Sequence, residues 1–221
     1  MSCTYKHTTI QKDQLNLPAG KVICVGLNYN LHIKEMQNNK QTEPVLFIKP
    51  TTSIRSSIDN IKLPRTLGPC YYETELTILI TSKLSSINEK DIENHQFYYG
   101  VGLDLTLREI QSELKQKGLP WEKSKAFDNS CILSPWLSEK SLDEIQKSII
   151  SFTIGNEVKQ HESASEMLTD IKALIAHASK YFTLMPGDVL MTGTPHGVGL
   201  LSPGDTVTMS INEHQFNMNV T

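Results

Sequence analysis

Two glutamates one residue apart, Glu73 and Glu75, sit inside Tyr72-Glu73-Thr74-Glu75-Leu76-Thr77-Ile78-Leu79-Ile80. The rest of that segment is β-branched, aromatic or apolar, which reads as a buried strand. Side chains alternate faces along a strand, so both carboxylates project the same way. Any fold that uses this strand must bring positive charge to that face, because two like charges buried side by side are unfavourable. A divalent cation would supply it. A solvated strand face, or an ion pair with a nearby Lys or Arg, is the alternative.

A second segment bears on that choice. Phe97-Tyr98-Tyr99-Gly100-Val101-Gly102-Leu103 is free of charge and leads straight into Asp104. Thr106 and Glu109 have capping-box spacing, which predicts a helix from there to about Gly118. Asp104 therefore lies at a strand's C-terminal end beside a helix start, either as a ligand or as a turn residue capping the helix. Three carboxylates make an all-oxygen set that suits Mg²⁺, Mn²⁺ or Ca²⁺ better than zinc or copper. No C-x-x-C pair and no H-E-x-x-H stretch competes with them.

The chain has 221 residues, a length that fits one domain with a substantial core. With 21 basic and 24 acidic residues its formal net charge is −3. That balance gives no footprint for nucleic acid and no basic cluster for a membrane surface. No apolar run reaches the roughly 18 residues of a membrane span, and the first residues lack a signal-peptide core. Cys3, Cys24, Cys70 and Cys131 are widely spaced, the pattern of reduced thiols in a cytoplasmic setting.

The coarse layout is α and β and strand-rich. Strands are expected at Lys21–Gly26 and Val45–Ile48, with a polar segment, Asn28–Glu43, between them. Gly155-Asn156 reads as a hairpin turn, and a closing hairpin is expected around Asn212-Glu213-His214. Ser163 with Glu166 has capping-box spacing ahead of Met167, Leu168, Ile171, Leu174, Ile175, Ala178 and Phe182, which predicts a one-faced helix. His32 and Glu35 are three apart, so on a short helix a carboxylate could orient an imidazole as a base; otherwise they are surface residues of a polar loop. Lys125 has apolar neighbours in Ala126-Phe127 and could cover Trp121 with its stem. The glycines of Thr192-Gly193-Thr194-Pro195-His196-Gly197-Val198-Gly199 permit close backbone approach. That loop is neither a Walker loop nor a dinucleotide turn.

Taken in order, Gly26-Leu27-Asn28-Tyr29, Phe47-Ile48-Lys49-Pro50, Glu73-Thr74-Glu75-Leu76, Asp104-Leu105-Thr106-Leu107-Arg108 and Thr192–Gly199 resemble the fumarylacetoacetate hydrolase family. The nearest likeness is to its small single-domain branch of acylpyruvate hydrolases and oxaloacetate decarboxylases. Each motif is modest; five in one order are specific. The resemblance implies an N-terminal extension, 1–20, and one catalytic domain, 21–221. It also implies a fumarylacetoacetase C-terminal-domain-like fold of mixed rolled β-sheets with a few flanking helices, paired as a homodimer.

The same resemblance implies Glu73, Glu75 and Asp104 as ligands of Mg²⁺ or Mn²⁺, a site Ca²⁺ could fill in crystals. His32 and Glu35 become a catalytic dyad on a lid, and Lys125 a cation that stabilises an oxyanion or enolate. Arg108, Gln111, Thr194 and Lys49 fall at or near the substrate. The implied reaction is hydrolysis of a small 2,4-dioxo acid: His32 activates water, the C–C bond breaks, and a carboxylic acid and the enolate of pyruvate leave. Decarboxylation of oxaloacetate, or isomerisation or tautomerisation of related oxo acids, would use the same site. A metal-stabilised binding protein without turnover is the reading from another class. Tyr71-Tyr72 and His196 depart from the family's usual residues and bear on substrate identity.

Overall fold

The computed structural model describes residues 5–36, 41–93, 95–138 and 140–221. The first strands are β1 (Val22–Gly26), β2 (Val45–Lys49), β3 (Ile54–Ser56), β4 (Tyr71–Tyr72), β5 (Thr74–Ile80), β6 (Phe97–Asp104) and β7 (Cys131–Leu133). Then follow β8 (Ile149–Ile154), β9 (Glu157–Ser163), β10 (Val189–Met191), β11 (Gly199–Leu200), β12 (Thr206–Ile211) and β13 (His214–Asn219). The helices are α1 (Asn30–Glu35), α2 (Glu89–Ile92), α3 (Arg108–Gln116), α4 (Glu122–Lys125), α5 (Leu142–Ile145) and α6 (Ile171–Tyr181).

A mixed seven-stranded sheet runs β2-β1-β10-β5-β6-β7-β3. Its β1–β10 and β3–β7 pairs are parallel and the others antiparallel. A four-stranded antiparallel sheet, β13-β12-β8-β9, packs against it through β8 and β12. This is the strand-rich α+β arrangement that the sequence predicts.

The strand alternation feeds two separate apolar clusters. Leu76, Ile78 and Ile80 of β5 and Ile23 of β1 face the four-stranded sheet and meet Phe152, Val207 and Met209. Val22, Cys24, Leu79, Val189 and Met191 face the other way and meet Trp136, with Tyr5, Leu15 and Leu17 of the N-terminal segment packed over them. The central strands are thus covered on both faces, which explains their near-continuous apolar runs. On the back face His7 is fully buried; its Nδ1 accepts from Trp136 Nε1 at 2.9 Å, and its Nε2 donates to the Gly187 carbonyl at 3.2 Å.

Two helix starts differ from the sequence expectation. Thr106 does not cap α3: its hydroxyl donates to the Asp104 carbonyl and accepts from Lys125, and α3 begins at Arg108 without a side-chain cap. Ser163 caps only a single 3₁₀ turn, Ala164–Glu166. The long helix starts five residues later, where Asp170 accepts from the Ala173 amide. Lys125 lies on the helical turn α4. Both hairpins form as expected, the second with a two-residue turn at Asn212-Glu213. Cys24, Cys70 and Cys131 are free and buried, and Cys3 lies outside the described residues. No helix among the described residues is long and apolar enough to cross a membrane.

Candidate active site

The antiparallel ladder of β5 and β6 runs from Thr74↔Leu103 to Ile80↔Phe97 and brings their ends together. One further bond, from the Asp104 amide to the Glu73 carbonyl at 2.8 Å, fixes the two acidic residues side by side. Glu73, Glu75 and Asp104 are all buried, and each offers a carboxylate oxygen within 4.8 Å of the others. Strand pairing, not loop flexibility, sets this spacing.

Cations meet the carboxylates unevenly. Lys125 Nζ donates to Glu73 Oε2 at 2.7 Å, to Asp104 Oδ2 at 2.6 Å and to Thr106 Oγ1 at 2.6 Å, so all three of its protons are engaged. Arg108 donates to Glu73 Oε1 at 2.6 Å and lies over the Tyr71 ring. Lys49, fully buried, stands 2.7 Å from Asp104 Oδ1. Glu75 pairs with no basic side chain among the described residues; its one charge-assisted bond is from the Gly193 amide, at 2.7 Å. Burial raises the pKa of Glu75 and the charges of Asp104 and Glu73 raise it further. Burial acts the same way on Glu73, but Lys125 and Arg108 outweigh it and hold that carboxyl below the usual range. A buried carboxylate without a counter-charge among three convergent oxygens is what a hard divalent cation fits.

These groups line a cleft of about 460 Å³ that opens to solvent on one side. His32, Lys125, Arg108, Gln111, Thr194 and the three acidic residues all face it. Glu35 and Lys49 do not. Glu35 stands behind His32, with Oε2 at 3.2 Å from His32 Nδ1, while its Oε1 accepts from the Gly197 amide at 3.0 Å. Lys49 lies beneath the triad, bonded to the Ser130 carbonyl and hydroxyl and to the Lys125 carbonyl. Lys49, expected at or near the substrate, stands under Asp104. His196 is exposed and outside the cleft.

The acceptor Glu35 implies a proton on His32 Nδ1, which leaves the Nε2 lone pair free. Burial lowers the pKa of His32, against the opposing pull of Glu73 and Glu35, so the ring is a neutral proton acceptor at neutral pH. The helix that carries it, α1, ends just before residues 37–40, which lie outside the described residues; the lid expected over 30–43 falls partly there.

Further residues hold the site, and one of them, Gln160, was not expected from the sequence. Leu27 adopts a left-handed φ of 62°, which turns the chain so that Asn28 can bind across to the Thr192 carbonyl (2.8 Å) and to both backbone groups of Thr169. Gly193 has φ 99°, and a Cβ there would lie 2.8 Å from the Asn28 Cβ, so only glycine lets its amide reach Glu75. Gln160 of β9 is buried; its amide nitrogen donates to Thr194 Oγ1 and the Pro195 carbonyl, both at 2.9 Å, and its oxygen accepts from the Thr74 amide at 2.9 Å. Gln160 thereby ties the glycine-rich loop to the peptide between the two glutamates. A polar residue at an inward position of a strand was the available signal.

The family model for the fumarylacetoacetate (FAA) hydrolase C-terminal domain matches residues 21–219. The chain is 42% identical to the oxaloacetate tautomerase YcgM of Escherichia coli K12 over 217 residues, covering 98% of this chain and 99% of the relative. Its fold is similar to a Yersinia pestis crystal structure assigned to the fumarylacetoacetate hydrolase family, with TM-score 0.95 and 40% identity over 98% of this chain and all of that one. It is also similar to a fumarylpyruvate hydrolase from Pseudomonas aeruginosa, solved with Mn²⁺ and pyruvate, with TM-score 0.89 and 28% identity over 100% and 97% of the two chains. Motifs, fold and buried acidic triad converge with these likenesses: the chain belongs to the fumarylacetoacetate hydrolase family.

Proposed function

We propose that the protein is a divalent-metal-dependent enzyme that interconverts the keto and enol forms of a small 2-oxo acid, with oxaloacetate as the best-supported substrate. The observation that carries this reading is His32, held by Glu35 and lining the same cleft as the buried triad. The likeness to a tautomerase over nearly the whole of both chains supports the choice of reaction. Mg²⁺ or Mn²⁺ would be held by Glu73, Glu75 and Asp104 and would act as a Lewis acid toward the oxo acid.

The chain's own residues do the rest. His32 Nε2 takes the proton from the carbon next to the 2-oxo group, and the C–H electron pair moves into the carbonyl to give an enolate. Lys125, beside two of the carboxylates, supplies positive charge as that oxygen becomes negative. Its three protons are already shared, so a bond to substrate replaces one of them. Returning the proton to oxygen gives the enol, and the reverse order gives the ketone. No water is consumed and no bond between carbons breaks.

Hydrolysis of an acylpyruvate remains the second reading, favoured by the similarity to a fumarylpyruvate hydrolase. There His32 would activate water instead. One experiment separates the two: stopped-flow absorbance of enol-oxaloacetate decay, beside pyruvate release from acetylpyruvate, each with Mg²⁺ and with chelator. Enol decay accelerated only with metal, without pyruvate release, is expected. Pyruvate release with no effect on the enol would overturn the tautomerase reading in favour of the hydrolase.

A further inference from the structure

On α3 three residues face the cleft in succession: Arg108, Gln111 and Lys115. Their spacing of three and then four residues puts them on one helical face. Arg108 is committed to Glu73 at the metal end. Lys115 is two turns further on, about 10 Å along the axis, at the mouth. Its ammonium lies 4.7 Å from the centroid of the Trp121 ring, another wall of the cleft. It makes no salt bridge with an acidic side chain among the described residues, whereas Lys125 and Arg108 both do.

The charge balance gives this lysine meaning. The cleft lining carries three basic side chains, Arg108, Lys115 and Lys125, against the acidic Glu73, Glu75 and Asp104. A divalent cation added to that balanced set leaves the cleft positive, with Lys49 adding charge from beneath. A substrate carboxylate and oxo group directed to the triad would neutralise the inner end only. The outer end would still present an ammonium steered by an aromatic face, an arrangement that attracts a second anionic group.

Resting on the reading above, we infer that Lys115 is a specificity-determining residue that binds the distal carboxylate of a dicarboxylic oxo acid and so selects dianionic over monoanionic substrates. The Trp121 ring holds the lysine stem at the mouth, and Gln111, buried between Lys115 and Arg108, bridges the two ends of the substrate.

The test uses a matched pair. Oxaloacetate and 2-oxobutanoate share a four-carbon 2-oxo acid skeleton and differ in a terminal carboxylate against a methyl. Oxalate, which has no distal group beyond its two adjacent carboxylates, is the control. Affinities of the Mn²⁺-loaded protein for all three come from ligand-induced shifts of the thermal unfolding midpoint, which do not depend on turnover. The native chain should prefer oxaloacetate to 2-oxobutanoate. Lys115→Met should weaken oxaloacetate about five- to tenfold and remove that preference, as loss of a partly exposed charge pair would. Oxalate and 2-oxobutanoate should stay within about twofold on the same basis, and Lys115→Arg should restore the preference. A preference that survives in Lys115→Met, or equal weakening of all three ligands, overturns the assignment, as does a native chain without preference. An intact preference in a protein that turns over no oxo acid would overturn the tautomerase reading and leave the role of Lys115 standing.

Discussion

Two ends of one face of the central sheet bury polar groups in opposite ways. At the Leu79 end, His7 is fully buried but both ring nitrogens are matched, one by Trp136 and one by Gly187. At the Asp104 end, three carboxylates converge and one of them, Glu75, bonds a single backbone amide among the described residues. Neutral, saturated hydrogen bonding stabilises a fold at little risk. A charge left short of partners costs stability, and it persists where the missing partner is a ligand. The same strands support both, because residues two apart share a face: Glu75, Thr77 and Leu79 of β5 point the same way, Glu75 toward the cleft and Leu79 into the Trp136 cluster.

The largest effect expected from breaking the acidic end is at His32. His32→Gln should reduce the rate of enol–keto conversion about a thousandfold, the upper-middle range for a lost general base. The Mn²⁺-induced rise in unfolding temperature should persist, since the triad is untouched. Retained activity would remove His32 from the chemistry. Next in size is Glu75→Gln. It should weaken Mn²⁺ binding roughly a hundredfold by calorimetric titration, on the scale of lost ligand-sphere interactions. The metal-free protein should unfold at a higher temperature than the native chain, because one of three crowded charges is gone. A lower metal-free midpoint would mean that Glu75 is structural.

The His7 end responds to pH instead of metal. Burial pushes the His7 pKa down to about 4, while its contacts with backbone carbonyls pull the other way. The folded-state value lies below the unfolded one of about 6.5, so the neutral ring's contribution is complete above pH 6.5 and is lost as pH falls toward 4. At pH 5 the loss should be about 2 kcal/mol relative to pH 7, read from urea unfolding. His7→Gln can keep both hydrogen bonds but cannot titrate, and it should flatten that slope. An unchanged slope would place the acid sensitivity elsewhere.

The sequence made the acidic end more legible than the His7 end. The spacing of Glu73 and Glu75 on a strand, and Asp104 at the end of another, is local information, and strand pairing then does little more than juxtapose them. For His32 and Glu35 a spacing of three allowed a pair but favoured a polar loop, and only the resemblance to the family pointed to the contact now seen. His7, Trp136 and Gly187 come from distant parts of the chain, and no local pattern links them. The two missed helix starts have a shared physical cause. Thr106 and Ser163 have capping-box partners at the right spacing, but Thr106 is drawn to Lys125 and Ser163 to a 3₁₀ turn. In each case another hydrogen bond, to Lys125 for Thr106 and from the Ser165 amide for Ser163, outcompeted a cap worth about 1 kcal/mol. For Lys49 the motif fixed that it is near the site, where it pairs with Asp104, but not on which side of the triad it stands.

Gln160 offers the finest test of how the acidic end is organised. Its nitrogen must point to Thr194 and the Pro195 carbonyl, because its oxygen is claimed by the Thr74 amide. Thr194 Oγ1 therefore accepts from Gln160, and its own hydrogen has only a long contact, 3.5 Å, to the Pro195 carbonyl. That hydrogen is available to an anion in the cleft, which Thr194 lines. Gln160→Leu should leave the Thr74 amide and the Pro195 carbonyl unpaired and cost about 2 kcal/mol in stability. It should also raise KM about tenfold with a smaller change in kcat, as loss of one oriented donor to a carboxylate would. Thr194→Val removes the hydroxyl itself, so in that background Gln160→Leu should cost stability without raising KM further. A KM effect of the same size in both backgrounds would mean that Gln160 only braces the loop and does not aim the hydroxyl.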